Sequence, residues 1–486
     1  MQKKLSYILT GIKTVSQKGT ANPQISDIVF DSRKAGEDSV FVAIKGTQAD
    51  GHNYISNVFQ AGCKAVICEK MPDNIPDDVV CIQVIDSSEA LGKMASAFYD
   101  EPSSKLKLVG VTGTNGKTTI ATLLYELSRS LGHKAGLFST VTNYIDGEKI
   151  PATHTTPDAV TLNKIMKEMV DQGCDHCFME VSSHAVHQKR IAGLNFAGGI
   201  FTNITHDHLD YHKTFKAYIE AKKAFFDGLG KDAFALVNSD DKNGMIMVQN
   251  TKASVFTYSV REVADFKGRI IESMFEGMQL NIDGHEVWTP FVGFFNAQNL
   301  LAVYGATTLL GHNREEVLVG LSKLKPVDGR FETIRSDEGI TAVVDYAHTP
   351  DALKNVIDTI NQIRNFDQQL ITVVGAGGDR DKTKRPLMAA EAVRGSSKVI
   401  LTSDNPRSEE PEKIIEEMME GVSFKERIKV ISITNRKEAI KTACMVAHPG
   451  DIILIAGKGH ETYQEVNGVR HHFDDREIVK EIFAQK

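Results

Sequence analysis

Residues 110–119 read GVTGTNGKTT, a glycine-rich turn followed by Lys117, Thr118 and Thr119. Backbone N–H groups of such a turn, placed just before a helix, form a nest for phosphate oxygens. Lys117 could then reach the β- and γ-phosphates, and the Thr118 hydroxyl could ligate Mg2+. The general pattern GxxxxGK[ST] asks for glycine at 111, where this chain has Val111. The strand–loop–helix setting still predicts a site for ATP or GTP. Motors, kinases, switches and ligases all use such a loop, so other residues must specify the reaction.

Glu180 closes the run CFME and could face the phosphates as a further Mg2+ ligand; otherwise it is a helix-capping or solvated glutamate. His206, His208 and His212 lie together in TNITHDHLDYH, without cysteines and without HExxH spacing. A hard cation with mostly oxygen ligands suits them better than zinc. Lys222, in YIEAKKAFF, reads locally as a surface lysine on a helix. Arg407, in TSDNPRSEEP, has two readings: it pairs with Glu409 or Glu410 to hold a turn, or it holds a ligand. Cys174 and Cys177 form a lone CxxC within an apolar run, which predicts buried reduced thiols.

These residues need elements to carry them. LKLVGVTG predicts a strand, and KTTIATLLYELSRSLG a helix stopped by Gly132. AGLFST, CFMEVSS, GGIFTNI and AFALVNSD predict further strands alternating with helices, hence a parallel sheet. GMQLNIDGHEVWTPF predicts a hairpin turning at Asp283 and Gly284. Beyond KPVDGRFE the pattern restarts with ITAVVDYAH, QLITVVGAGGDRDK, KVILTSDNPR, IKVISITNR and DIILIAGKGHE. Open parallel sheets bind ligands beyond the carboxyl ends of their strands, so Arg380, Arg407 and Glu461 should gather along one edge.

The 486 residues exceed one core and suggest about three domains. We expect an α/β protein with a smaller N-terminal α/β domain over residues 1–104. A central P-loop ATPase with a mainly parallel sheet should follow over 105–332, and a Rossmann-like C-terminal domain over 333–486. The formal charge of −7 disfavours a general nucleic-acid binder. No apolar run reaches the roughly 20 residues of a membrane span, and the N-terminal apolar stretch is too short for a signal peptide. A cytoplasmic monomer is expected. Six scattered cysteines make no disulfide framework.

GTNGKTT, EVSSH, HDHLDYH, YIEAKKAF, FNAQN, DYAHTPD, GGDRDKTKRP, DNPR and GKGHE occur in the order and spacing of the Mur ligases. DSRKAGEDSVFVAIKGTQADGH extends this resemblance to the N-terminal domain, so it covers nearly the whole chain. The pattern is most similar to that of the ligases adding meso-diaminopimelate to UDP-N-acetylmuramoyl-L-alanyl-D-glutamate. The resemblance implies that Ser32, Thr47, Gln48 and Ala49 contact the UDP end of that substrate. It implies that Thr155, Thr156, Ser182, Gln188 and Arg190 hold the muramoyl-dipeptide. Gly113, Thr114, Asn115, Gly116, Lys117, Thr118 and Thr119 would bind the ATP phosphates, Asn299 the adenine, and Arg330 and Asp345 would face the nucleotide. Glu180 and His208, with Thr118, resemble ligands of two Mg2+ ions. Lys222 resembles an N-carboxylated lysine that would support one ion as an anion. Arg380, Asp404, Asn405, Pro406, Arg407, Gly457 and Glu461 would receive diaminopimelate. Lysine-adding relatives lack the arginine of DNPR, and a guanidinium suits the distal carboxylate by which diaminopimelate differs from lysine.

The implied reaction is amide synthesis through an acyl phosphate. Two rivals stand beside it. Another ligase of the superfamily, such as a folylpolyglutamate synthase, should lack DNPR with GKGHE. A nucleotide-driven switch or motor would use the loop to move a partner.

Overall fold

A computed structural model of the chain describes residues 1–46, 49–151 and 155–485. Its strands form three large sheets, drawn in turn from the N-terminal, central and C-terminal parts of the sequence. The first sheet has the order Thr14–Lys18, Val80–Val84, Ala65–Cys68, Ser39–Val42 and Asp27–Val29. Its strands run parallel except for the antiparallel edge Thr14–Lys18.

The central sheet has 11 strands. Seven parallel ones run in the order Ala135–Phe138, His176–Glu180, Lys107–Thr112, Gly198–Phe201, Phe234–Asn238, Ser254–Ser259 and Phe266–Met274. Leu108, Val109 and Val111 are wholly buried, as expected for a strand covered by helices on both faces. From Lys107–Thr112 the chain builds first to one side and later to the other. That reversal opens a crevice at the carboxyl end of this strand. Antiparallel strands extend both edges, and the hairpin Gly277–Ile282 and His285–Thr289 turns at Asp283–Gly284 as expected.

Helix Lys117–Ser130 buries Ile120, Leu123, Leu124 and Leu127, the i, i+3, i+4, i+7 stripe that docks it on the sheet. It ends at Gly132, whose φ is 90°, with His133 N–H bonded back to Ser128 C=O at 3.1 Å. Helix Phe294–Leu309 is buried on nearly every face, packed on the sheet beside helix Lys117–Ser130.

The last sheet runs Glu332–Arg335, Thr341–Asp345, Ile452–Ala456, Leu370–Val374, Lys398–Leu401 and Val430–Ser432. Its five parallel strands are those expected from the sequence. The antiparallel edge Glu332–Arg335 and the hairpin Tyr463–Val466 with Val469–His472 were not anticipated. Their half-exposed residues lack a continuous apolar run. All six cysteines are buried, and none is joined in a disulfide. Among the described residues, no helix is long and apolar enough to cross a membrane.

Candidate active site

The glycine loop lies between strand Lys107–Thr112 and helix Lys117–Ser130, as its sequence requires. The first bond of that helix is Ile120 N–H to Gly116 C=O at 2.9 Å, so the N–H groups of residues 117–119 precede the hydrogen-bond ladder. Gly116 has a φ of 88°, and a Cβ there would come within 2.7 Å of Asn299 Oδ1. Glycine at 116 is therefore what lets Asn299 approach the loop. Asn203 fixes the loop from the next strand: its carbonyl accepts from Thr114 N–H at 2.8 Å and its side chain from Asn115 N–H at 2.9 Å. Lys117 folds back so that Nζ donates to the carbonyls of Gly113 and Thr114, at 2.9 and 2.8 Å.

Lys222 is no surface lysine. It is 1 % exposed, on the inner face of helix Phe215–Asp227, and donates to Gly113 C=O at 2.7 Å. Among the described residues no carboxylate lies within ion-pair distance of it. Burial, reinforced by Lys117, pushes its pKa well below the ordinary lysine value. Its local sequence concealed this because the burying partners lie about a hundred residues away.

Glu180 ends strand His176–Glu180 and is 1 % exposed. It accepts from Thr140 N–H at 2.6 Å and from the Thr140 hydroxyl at 3.2 Å. Ser182, not Glu180, caps the following helix, accepting from Ala185 N–H at 3.2 Å. A buried carboxylate with only neutral donors is a natural partner for a cation. His208 is half-buried at a φ of 54°, and burial, against the pull of Asp207, holds its imidazole well below the usual pKa. The three histidines do not converge: His212 bonds Ser183 at 2.9 Å, and His206 faces Asp381 at 3.6 Å.

A second network grows from Glu180. Its carbonyl accepts from the Thr156 hydroxyl at 2.8 Å, and Thr156 reaches Ser182 at 3.4 Å. Arg190 donates to Thr156 C=O at 2.7 Å, while Gln188 Oε1 accepts twice from its guanidinium. Thr155 accepts from the Thr140 hydroxyl at 3.1 Å. Thr155, Thr156, Ser182 and Arg190 thus line one wall of a cavity of 1070 Å³, with Gln188 behind Arg190. Ser32 and Ala49 do not line this cavity; Ser32 opens a one-turn helix and Ala49 is exposed, both beside the first sheet. Thr47 and Gln48 lie outside the described residues.

The opposite wall comes from the last sheet. Gly377 lies between Arg407 and Arg380, with their side chains 3.0 and 3.7 Å from where its Cβ would be. Arg407, at a φ of 53°, donates through Nη1 to Gly378 C=O at 2.6 Å. Neither acidic neighbour pairs with it. Glu409 takes both nitrogens of Arg385, at 2.8 and 2.9 Å, and Glu410 takes Lys413 at 2.8 Å. Asn405 donates to Glu461 at 2.8 Å, and wholly buried Lys458 donates to both of them at 3.0 Å. Burial opposes the charge on Asp404, but Lys458 and Arg436 hold its carboxyl below the usual range. Gly457 leaves room for it, since a Cβ would come within 2.6 Å of Asp404 Oδ2. Pro406 does not line the cavity; it braces the loop by accepting from Glu409 N–H at 3.0 Å.

Besides the His206–Asp381 approach, three contacts hold the two walls together. Lys384 pairs with buried Asp207 at 3.1 Å, Asp351 accepts from Asn115 at 3.1 Å, and Arg330 donates to the Thr118 hydroxyl at 3.3 Å. Arg330 also stacks on Tyr346, 4.5 Å from the ring centre. Asp345 accepts from Phe331 N–H at 2.7 Å, and burial raises its pKa to about 6 despite Arg330. Sequence reasoning missed Thr140, Asp207, Lys384, Asp351 and Lys458. Asp207, Asp351, Lys384 and Lys458 lay inside quoted motifs, beside the residues that drew attention.

Family models agree with this layout. Residues 24–99 match the Mur ligase family, catalytic domain; residues 111–307 match the Mur ligase middle domain; and residues 329–459 match the Mur ligase, glutamate ligase domain. The UDP-N-acetylmuramoyl-L-alanyl-D-glutamate--2,6-diaminopimelate ligase of Phocaeicola vulgatus is 59% identical, over 99% of this chain and 100% of its own length. That of Clostridioides difficile is 41% identical, over 99% and 100%. A solved structure of a ligase of the same name superposes with a TM-score of 0.71 at 34% identity, covering 100% of this chain and 99% of its own. MurF from Acinetobacter baumannii shares the fold at a TM-score of 0.65 and 16% identity, over 100% and 99% of the two chains. Cavity, loop and relatives agree, and the chain belongs to the Mur ligase family.

Proposed function

We infer that the chain joins meso-diaminopimelate to UDP-N-acetylmuramoyl-L-alanyl-D-glutamate at the expense of ATP, a step of peptidoglycan synthesis in the cytoplasm. The observation that carries this is one cavity with the phosphate loop on one wall and, on the other, an Arg407 whose acidic neighbours Glu409 and Glu410 pair elsewhere. Residues 1–104 would hold the UDP end through Ser32, Thr47, Gln48 and Ala49. Residues 105–332 would bind ATP and the dipeptide, and 333–486 the incoming amino acid. The chain would act as a monomer.

A carboxylate is a poor electrophile, so its oxygen first attacks the γ-phosphorus, forming an O–P bond as the bond to ADP breaks. The free amine of diaminopimelate then attacks the acyl carbon, and the tetrahedral intermediate expels phosphate. Lys117 and the N–H groups of residues 117–119 would stabilise the charge moving between phosphate oxygens. Arg190 would orient the dipeptide, its own fork fixed by Gln188. Arg407 and Arg380 would take the distal carboxylate, and Glu461 the distal ammonium. The two walls would bring three reactants within reach, where orientation contributes much of the rate.

The Thr118 hydroxyl and the Glu180 carboxylate, with His208, suit divalent cations beside phosphate. Two Mg2+ ions there would neutralise phosphate charge. Burial disfavours the ammonium form of Lys222; as the free amine it can add CO2 to give a carbamate and release a proton. An anion there would meet a cation where an ammonium would repel it.

The test offers ATP and the UDP-dipeptide with either meso-diaminopimelate or L-lysine. Phosphate release should require both the dipeptide and diaminopimelate. Faster reaction with lysine would remove the specificity, and release without either acceptor would favour a nucleotide switch.

A further inference from the structure

The geometry points to a second metal site, for a borderline divalent ion such as Zn2+ or Co2+, held by His133, His176 and His312, with Asp175 behind the first two. One nitrogen from each of the first two histidines and a carboxylate oxygen of Asp175 lie within 4.8 Å of one another. Among the described residues this is the one such cluster, and it lies away from the cavity. His176 begins the strand that Glu180 ends, so about 13 Å separates them.

Asp175 accepts from His133 Nδ1 at 2.7 Å and from His176 Nδ1 at 2.9 Å. A carboxylate on Nδ1 fixes the tautomer that presents Nε2 as a bare lone pair, the arrangement found behind metal-bound histidines. His176 is wholly buried, and its Nε2 has no partner. The rings of His133, His176 and His312 have centroids 4.5, 4.8 and 5.6 Å apart. Imidazoles sharing one tetrahedral ion at about 2.0–2.1 Å stand roughly 5 Å apart. The nearby lysines are occupied: Lys107 donates to Leu310 C=O at 3.1 Å and Lys134 to Gln172 C=O at 3.2 Å. Imidazole and carboxylate together favour zinc-like ions over Mg2+.

His133 follows the helix that Lys117 begins, and His312 follows the helix that carries Asn299. An ion here would pin the far ends of the elements that present Lys117, Glu180 and Asn299. It would stabilise the central domain without entering the reaction.

The test titrates chelator-treated full-length chain with Co2+ in excess Mg2+. Expected are the visible absorption of tetrahedral cobalt at one equivalent and a Zn2+-dependent rise in Tm. His133→Gln and His312→Gln should each weaken binding at least about tenfold and abolish the Tm rise. His208→Ala, in the cavity, should keep both. Absence of absorption at stoichiometric Co2+, or its loss in His208→Ala but not in His133→Gln, would overturn the proposal.

Discussion

Glu409 stands two residues from Arg407, yet its carboxylate is held bidentately by Arg385 at 2.8 and 2.9 Å, and among the described residues no carboxylate lies at ion-pair distance from Arg407. A guanidinium that only braced a turn would have taken the nearest carboxylate. Arg407→Ala should therefore raise the KM for diaminopimelate by about 10- to 100-fold, the worth of a charge-assisted hydrogen bond or two. ATP binding, measured by calorimetry, should not change. Equal loss of both would make Arg407 architectural.

Lys222 should carry a carbamate. With 13C-labelled bicarbonate, NMR should show one carbamate carbon in the wild type and none in Lys222→Met. Turnover should fall by about 100-fold or more in that variant, in line with the loss of a charge-stabilising group. A variant with full activity would leave Lys222 a merely buried lysine.

Asp345 makes stability depend on pH. Burial raises its pKa from 3.8 to about 6, so the folded chain keeps a proton that the unfolded chain has lost. Its contribution is present below pH 4, falls as pH rises through about 6, and amounts to about 3 kcal/mol at most. Asp345→Asn keeps an acceptor for Phe331 N–H without the charge. Thermal melts should show the variant gaining on the wild type between about pH 4 and 6, with a constant lead above. Parallel curves would show that Asp345 does not titrate in this range.

Lys384 and Asp207 should act as one unit. Each single neutralisation, Lys384→Met or Asp207→Asn, should cost about 100-fold in kcat/KM through misplacement of the amino-acid wall. The double variant should be little worse than the more damaged single one, because both lose the same contact. Additive losses would mean that the two residues work separately.

Most parallel strands were legible because their runs are apolar on both faces, and all five of the last sheet, including the exposed edge Val430–Ser432, stand where the sequence placed them. The phosphate loop was equally plain, since glycine, lysine and threonine spacing is a local property. Glu332–Arg335 and the hairpin at Tyr463 were not legible, being short strands with no buried apolar run. Lys222 and Lys384 were hidden for a different reason. Each takes its meaning from groups more than a hundred residues away, Gly113 for one and Asp207 for the other. The family motifs gave Lys222 a role; Lys384 lay inside the quoted GGDRDKTKRP without one.

The three contacts across the cavity share a property with thermodynamic weight. Asn115 and Thr118 belong to the phosphate loop itself, and Asp207 adjoins His208, so each link starts where nucleotide or its cation would be felt. Reciprocity then applies: any ligand that repositions these residues shifts the balance between open and closed walls, and closure shifts that ligand's affinity by the same factor. An inhibitor wedged between Lys384 and Asp207 would thus weaken nucleotide binding without touching a phosphate.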